Sequence, residues 1–307
     1  MINNLIVSVA IPGKSISRIC LLLASLQEFG GSWAESPCWI LSPQSQGDFS
    51  RKDRKRLERL RSEIIPFPDI DGLLRFPLAA KVQAAAAAEE LARGKAALLA
   101  WLDEDTLILD GLDEFLLPGH QFFGYRPVHH KLLGTAWGEE PDAYWQMVYQ
   151  RCGADPGKDF PLVSHAGERI RPYFNAGCYT VRPERGILAK WWEIFQDCYQ
   201  GEEFQQFYQQ DPLYAVFLHQ AVFTAAALGS LEKEEMQEFS RRINYPLHLH
   251  EKLLPHLRVE RLDELTTARY ENLLETDDWQ EVIPSSRELA GWLSAQQKEH
   301  FISGGRT

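Results

Sequence analysis

The residues with the most chemistry in them are two carboxylates, Asp103 and Asp105, in the string AWLDEDTLIL at 100–109. They follow an apolar run, Ala96 to Trp101, and Thr106-Leu107-Ile108-Leu109 returns at once to a strand pattern. A buried strand ending in Asp-x-Asp sets the two Cα atoms about 6–7 Å apart, with both side chains on one face, because strand side chains repeat every second residue. Two hard oxygen ligands on one face suit Mg²⁺ or Mn²⁺, and such an ion neutralises a diphosphate. The competing reading is a solvated acidic turn. Placement directly behind an apolar strand weighs against it.

The elements that must position this pair alternate. Leu5 to Ile11 is a β-rich run closed by Pro12-Gly13. Ile19, Leu22, Leu23 and Leu26 recur at helical spacing up to Gly30-Gly31. Cys38 to Leu41 predicts a second strand, residues 51–61 a charged helix, and Ile64-Ile65 a third strand. Leu78 to Arg93, rich in alanine, predicts a helix with Gly94 as its C-terminal stop. Ala96 to Trp101 is the fourth strand. This order predicts an α/β fold, a mainly parallel, Rossmann-like sheet covered by helices on both faces. Ligands of such sheets bind beyond the carboxyl ends of the strands, where Asp103 and Asp105 lie.

The second half is less regular. Phe122 to Tyr125 and Cys178 to Val181 read as strands, and Ile187, Trp191, Ile194 and Cys198 form a helical stripe. Asp211 caps a helix that has Pro212 at its first position and runs to Gly229. From Glu232 the chain is charged and mixed, and Ser303 to Thr307 are expected to fray. We expect one compact unit, with a nucleotide-binding half at 1–115 and an acceptor half at 116–307.

Composition narrows the classes. A net charge of −11 argues against nucleic acid as a partner, since phosphate backbones need concentrated positive charge. Five scattered cysteines with no CxxC pair read as reduced, mostly buried thiols. No apolar run is long enough to span a membrane, and no basic segment precedes the N-terminal apolar run, so a cytoplasmic protein without a transmembrane segment is expected.

Several segments follow one another in the order of a known family. The Asp103-Glu104-Asp105 strand, the helix beginning Phe76-Pro77-Leu78-Ala79-Ala80-Lys81, Tyr173-Phe174-Asn175-Ala176-Gly177 and His219-Gln220 together resemble GT-A-fold glycosyltransferases, most of all the glycogenin-like and related bacterial ones. The resemblance covers roughly residues 5–250. It implies transfer of a sugar from a nucleotide-diphosphate donor, UDP-sugar favoured, to an unknown acceptor, with Mn²⁺ or Mg²⁺ on the diphosphate. It implies Asp103 at the ribose and metal, Asp105 on the metal, and Asn175, Ala176 and Gly177 at the donor sugar. Ile11 and Pro12 fall at the nucleotide, Lys81 at the phosphates or a carboxylate, and Gln220 beside the reacting carbon.

Two departures stand out. His219 occupies a position where the family often has Asp, which leaves the stereochemical outcome open. The family's C-terminal His-x-x-Gly-x-x-Lys segment is missing. Its nearest substitute is Asn244 to His250, where an extended His248-Leu249-His250 would put both imidazoles on one face. His248, nearer the turn, is the expected third metal ligand.

The same residues have plainer readings. Lys81 competes with a surface lysine, and Asn175 to Gly177 with an ordinary turn. The basic helix from Arg51 reads as a solvated face, His129-His130 as loop residues near the cleft mouth, and Trp191-Trp192 as core. Other functions fit less well. A non-catalytic nucleotide-sugar-binding relative keeps the fold. A nucleotidylyltransferase needs a Gly-rich loop where only Pro12-Gly13-Lys14-Ser15 stands, and a phosphohydrolase lacks a second metal site.

Overall fold

The apolar runs of the first hundred residues become parallel strands, and the stretches between them become the helices that cover the sheet. The computed structural model describes residues 2–14, 16–70, 72, 75–275 and 279–302. Strand β1 (Ile2–Val9) leads into α1 (Ile16–Phe29), β2 (Cys38–Pro43), α2 (Arg51–Arg59), β3 (Ser62–Phe67), α3 (Ala79–Ala92) and β4 (Ala96–Leu102). Then come β5 (Thr106–Ile108), β6 (Phe123–Pro127), α4 (Ala143–Cys152), the short pair β7 (Leu162–Val163) and β8 (Arg169–Ile170), and β9 (Phe174–Val181). Helices α5 (Ile187–Gln200), α6 (Glu202–Gln210) and α7 (Pro212–Leu228) follow. The chain ends with β10 (Met236–Glu238), β11 (Tyr245–Pro246), β12 (Thr267–Arg269), α8 (Trp279–Val282) and α9 (Arg287–Gln297).

The seven-stranded sheet has the order β10-β6-β9-β4-β1-β2-β3, and β9 alone runs against its neighbours. Both faces are covered, which the strands show residue by residue. Leu5, Val7, Leu99 and Trp101 pack into one core beneath α3, α5 and α7. Ile6, Leu98, Ala100 and Leu102 pack into the other beneath α1. Alternation by twos with every position apolar is what a doubly covered strand requires. The alanines of α3 (Ala84, Ala85, Ala88, Ala92) let it lie close on the sheet and against α5.

Capping follows the sequence. The Asp211 carboxylate accepts from the Leu213 N–H at 2.9 Å with Pro212 behind it, and Gly94 follows α3 at φ +72°. The basic helix α2 is a solvated face with Leu57 alone buried. All five cysteines are buried and free, and Trp191 is fully enclosed. Among the described residues no helix is long and apolar enough to cross a membrane.

Three expectations change. Strand β4 ends at Leu102, so Asp103 and Asp105 stand in a turn, closed by the Thr106 N–H donating to the Asp103 carbonyl at 3.0 Å. They do not share a strand face. His248 and His250 lie in a 3-10 helix, Leu247–Lys252, rather than an extended segment. The region after Glu232 also holds more than a mixed tail: β11 and β12 join β5 in a three-stranded sheet of order β11-β12-β5. Ser15 and the expected frayed end from Ser303 lie outside the described residues.

Candidate functional site

The site is built where the ends of β4 and β9 meet the small sheet. The Asp103 N–H donates to the Gly177 carbonyl on β9 at 2.9 Å, which fixes the turn against the main sheet. Lys81, in the first turn of α3, places Nζ 2.7 Å from Asp103 Oδ1 and 2.8 Å from Oδ2. The Trp101 indole N–H donates to Oδ1 at 3.0 Å. Strand β12 pairs antiparallel with β5 and sets Arg269 opposite Thr106, and the Tyr270 N–H donates to the Asp105 carbonyl at 3.0 Å. That register carries the Arg269 guanidinium between the carboxylates. Nη1 is 3.1 Å from Asp103 Oδ2, and Nε is 3.1 Å from Asp105 Oδ2.

Burial and charge oppose one another here. Burial raises the Asp103 carboxyl, but Lys81 and Arg269 more than offset it and hold it down at about 2. Burial lowers the Lys81 ammonium against the pull of Asp103. The Asp105 carboxyl is raised, first by burial and then by the nearby Asp103 charge, with Arg269 opposing. Lys81 is 6% exposed, so it is a buried partner of Asp103 rather than a surface lysine.

Two clefts meet at this cluster. One, of about 310 Å³, is walled by Val9, Ile11 and Phe76 at the strand ends and includes Arg18. The other, of about 280 Å³, is walled by Asn175, Gly177, His219, Gln220 and His248. Leu78, Lys81, Asp103 and Arg269 line both. The structure thus brings Ile11, Lys81, Asp103, Asp105, Asn175, Gly177, Gln220 and His248 together around one junction. Pro12 and Ala176 line neither cleft. The Ala176 methyl lies in the core, and its N–H donates to Gln220 Oε1 at 3.2 Å.

Gly177 has a steric reason to be glycine. A Cβ there would sit 2.5 Å from Asp103 Oδ2 and 2.8 Å from Arg269 Nη1. Strain also gathers here. Leu78 (φ +59°), Leu132 (φ +42°) and Glu271 (φ +49°) line the second cleft in the left-handed region. Asn244 (φ +54°) accepts from His129 Nε2 through its carbonyl at 3.0 Å. Non-glycine residues in that region cost on the order of 1 kcal/mol or more and cluster at working sites. His129 and His130 lie in the loop after β6 and line the second cleft, but His129 is buried there beside His248, their ring centres 5.8 Å apart.

As arranged, these residues do not fit a divalent ion. Both Asp103 oxygens are taken by Lys81, Trp101 and Arg269, and Asp105 Oδ2 by Arg269. Asp105 Oδ1 alone of the four oxygens lacks a partner, and it is buried. His248 Nδ1 is 3.4 Å from the Arg269 carbonyl and Nε2 is 3.3 Å from Glu271, while His250 is bonded to the Tyr245 hydroxyl at 2.8 Å. Among the described residues no three His, Cys, Asp or Glu side chains gather to hold a metal.

Arg269 was invisible to motif reading. The signal that marks it is the run Thr266-Thr267-Ala268-Arg269-Tyr270, a brief β-rich stretch in a charged region. Arg18 likewise carries no motif signal. It donates from Nε to Glu275 at 2.9 Å and from Nη2 to Asn272 at 2.5 Å.

Comparison with known proteins gives the family and the fold. A family model described as a Rhodobacterales glycosyltransferase domain matches residues 6–222. Comparison with curated proteins gives no match. Among solved structures, the galactosyltransferase LgtC in complex with donor and acceptor sugar analogues superposes with a TM-score of 0.55 at 16% identity, covering 96% of each chain. The bifunctional glycosyltransferase WbbM gives 0.57 at 13% identity over 96% of this chain and 52% of its own. The glycosyltransferase GlyE of Streptococcus pneumoniae gives 0.51 at 11% identity over 99% of this chain and 64% of its own. The sheet and its helices are those of the GT-A fold.

Proposed function

The chain belongs to the Rhodobacterales glycosyltransferase domain family and is a sugar-transferring enzyme, and from that premise we propose that its donor is a nucleotide-diphosphate sugar, a UDP-sugar by preference, lying across the two clefts. The observation that supports this is the Lys81–Asp103–Arg269 junction shared by both. The nucleoside fits the cleft at the strand ends, where Val9, Ile11 and Phe76 offer apolar and aromatic surface, within the half at 1–115. The sugar and acceptor fit the second cleft, walled mostly by the half at 116–307. Asn175 and the Gly177 backbone then face sugar hydroxyls, and Gln220 stands beside the reacting carbon, held by the Ala176 N–H.

Transfer breaks the bond between the anomeric carbon and the β-phosphate oxygen, whose electron pair leaves with the nucleoside diphosphate. A new bond forms to the acceptor oxygen, and the acceptor's proton is released. Stabilising the departing diphosphate is the main demand on the protein. The Asp-x-Asp pattern points to Mn²⁺ or Mg²⁺ for that task, but Asp103 and Asp105 are already engaged by Lys81 and Arg269, the cations of the chain itself. The LgtC complex carries donor and acceptor sugar analogues together, and the shared fold supports the same division of labour.

A thermal-shift panel of UDP-, GDP-, CMP- and dTDP-sugars tests the reading. A UDP-sugar at a hundred times its dissociation constant should stabilise the fold by about 2.7 kcal/mol. Nucleoside diphosphate release should rise when acceptor sugars are added. A flat response to all four donors would refute the donor assignment.

A further inference from the structure

We infer that this transferase holds its donor diphosphate with Arg269 and Lys81 in place of a divalent ion. The inference rests on the donor placement proposed above and adds to it the identity of the cation.

The geometry carries it. A metal on an Asp-x-Asp pair lies between the two carboxylates and faces the phosphates. Here the Arg269 guanidinium lies between them, hydrogen-bonded to Asp103 through Nη1 and ion-paired with Asp105 through Nε, both at 3.1 Å. Lys81 closes the other side of Asp103 at 2.7 Å. Two carboxylates against two cations leave these four groups without net charge, so an incoming diphosphate does not face the bare charge of Asp103 and Asp105. Arg269 remains accessible. Its side chain is 26% exposed, it lines both clefts, and among the described residues its Nη2 has no partner. A guanidinium set between two carboxylates through Nη1 and Nε keeps further N–H donors in the same rigid plane, and these can meet phosphate oxygens.

The supports of this arrangement are built into the fold. Pairing of β12 with β5 fixes the Arg269 backbone opposite Thr106. Gly177 leaves the space beside Asp103 Oδ2 that Arg269 Nη1 enters, since a Cβ would come within 2.8 Å of that nitrogen. A metal entering between Asp103 and Asp105 would have to expel the guanidinium while Lys81 stayed on Asp103. Two positive groups would then crowd the ion.

Calorimetry on the full chain tests this with UDP, GDP, CDP and dTDP as probes, each in excess EDTA and again in Mn²⁺. The tightest-binding diphosphate should keep its Kd within about threefold when Mn²⁺ is replaced by EDTA. Arg269→Met should weaken binding in EDTA by at least about tenfold, the size expected on losing a directly binding group. Added Mn²⁺ should then recover part of that loss, because the freed carboxylates become available to an ion. Arg269→Lys should lose less than Arg269→Met. A parent protein that binds any of the four only in Mn²⁺ overturns the inference and leaves the donor placement standing. Binding of none in either condition refutes the donor placement and the inference with it. Should Arg269→Met fail to fold, the comparison on the parent protein decides alone.

Discussion

Lys81 and Arg269 reach the same carboxylate by opposite routes. Lys81 comes from α3, 22 residues before Asp103, on the helix that feeds directly into β4. Arg269 comes from β12, 166 residues after it, on a three-residue strand in a sheet of its own. The near route is fixed by a long alanine-rich helix packed on the central sheet. The far route depends on a short pairing with β5. A βα repeat delivers one cation almost as a consequence of connectivity, whereas the second requires the chain to return after strands β5 to β11 and helices α4 to α7. The near support is therefore set by connectivity, and the far one by a three-residue pairing.

Asp103 is the point both routes share, so removing its charge should have the largest effect. Asp103→Asn leaves buried Lys81 without its partner, and breaking one member of a buried pair costs about 3–5 kcal/mol. We expect urea denaturation to show that loss and turnover to fall at least about a hundredfold, in line with losing an electrostatic anchor of the reacting group. A variant of near-parental stability and activity would mean that the two routes do not converge in solution.

The next largest effect tests the near half away from the clefts. Glu89 on α3 accepts from the Ala189 N–H at 2.8 Å at the start of α5, with its other oxygen buried and unpartnered. Burial raises its carboxyl to about 7 from 4.5, against the pull of the backbone N–H groups. The folded state then binds the proton more tightly than the unfolded chain. The stabilising contribution is full below pH 4.5 and is lost as pH rises through about 7. Glu89→Gln should flatten that slope and raise stability above pH 7 by on the order of 2–3 kcal/mol, with activity unchanged. Parallel pH–stability curves for parent and variant would show that the carboxyl is not raised.

What could be read in the sequence follows the same division. Strands β1 to β4 were legible because strands covered on both faces are apolar at every position, and α3 because alanine favours helix. Asp103 was legible as the residue after such a strand. Leu102 ends β4 one residue before the expected face-sharing pair, because the turn bond from Thr106 overrides the strand register. Arg269 was not legible, since one arginine in a charged region looks like surface until β12 is paired with β5. Asn244 and Pro246 suggest a turn, but Tyr245–Pro246 pair with β12 as β11, and local propensity does not distinguish the 3-10 helix that follows from an extended arm. His248 and His250 therefore diverge instead of sharing a face.

Gly177→Ala addresses the meeting point of the two routes with a smaller change. Its Cβ would intrude on Asp103 Oδ2 at 2.5 Å and on Arg269 Nη1 at 2.8 Å, with Asn175 Oδ1 at 3.0 Å on the third side. Overpacking of this kind costs about 1–3 kcal/mol. The guanidinium should yield before the Lys81 bond, because β12 is the slighter support. Donor affinity should drop by roughly tenfold, the equivalent of about 1.4 kcal/mol. An affinity equal to the parent's would place Arg269 clear of the donor.

The smallest effect expected belongs to His248, the residue the sequence offered as a metal ligand. It lines the second cleft, and its Nε2 faces Glu271 at 3.3 Å while Nδ1 lies 3.4 Å from the Arg269 carbonyl. Burial lowers its imidazole below the usual 6.5, with Glu271 opposing, so the ring is neutral at pH 7 and adds no charge to the far-side cation. His248→Ala should therefore change the Kd of UDP by less than about twofold, both in EDTA and in Mn²⁺. His250→Ala, which removes the partner of the buried Tyr245 hydroxyl, should instead cost about 1 kcal/mol of stability and leave the nucleotide untouched. The pair of variants separates two accounts of how the far half contributes. If it contributes through β12, both leave nucleotide binding intact and only His250→Ala affects folding. Loss of a Mn²⁺-dependent gain in His248→Ala, set against a gain in the parent, would return the imidazole to the cation and put Arg269 in a supporting place.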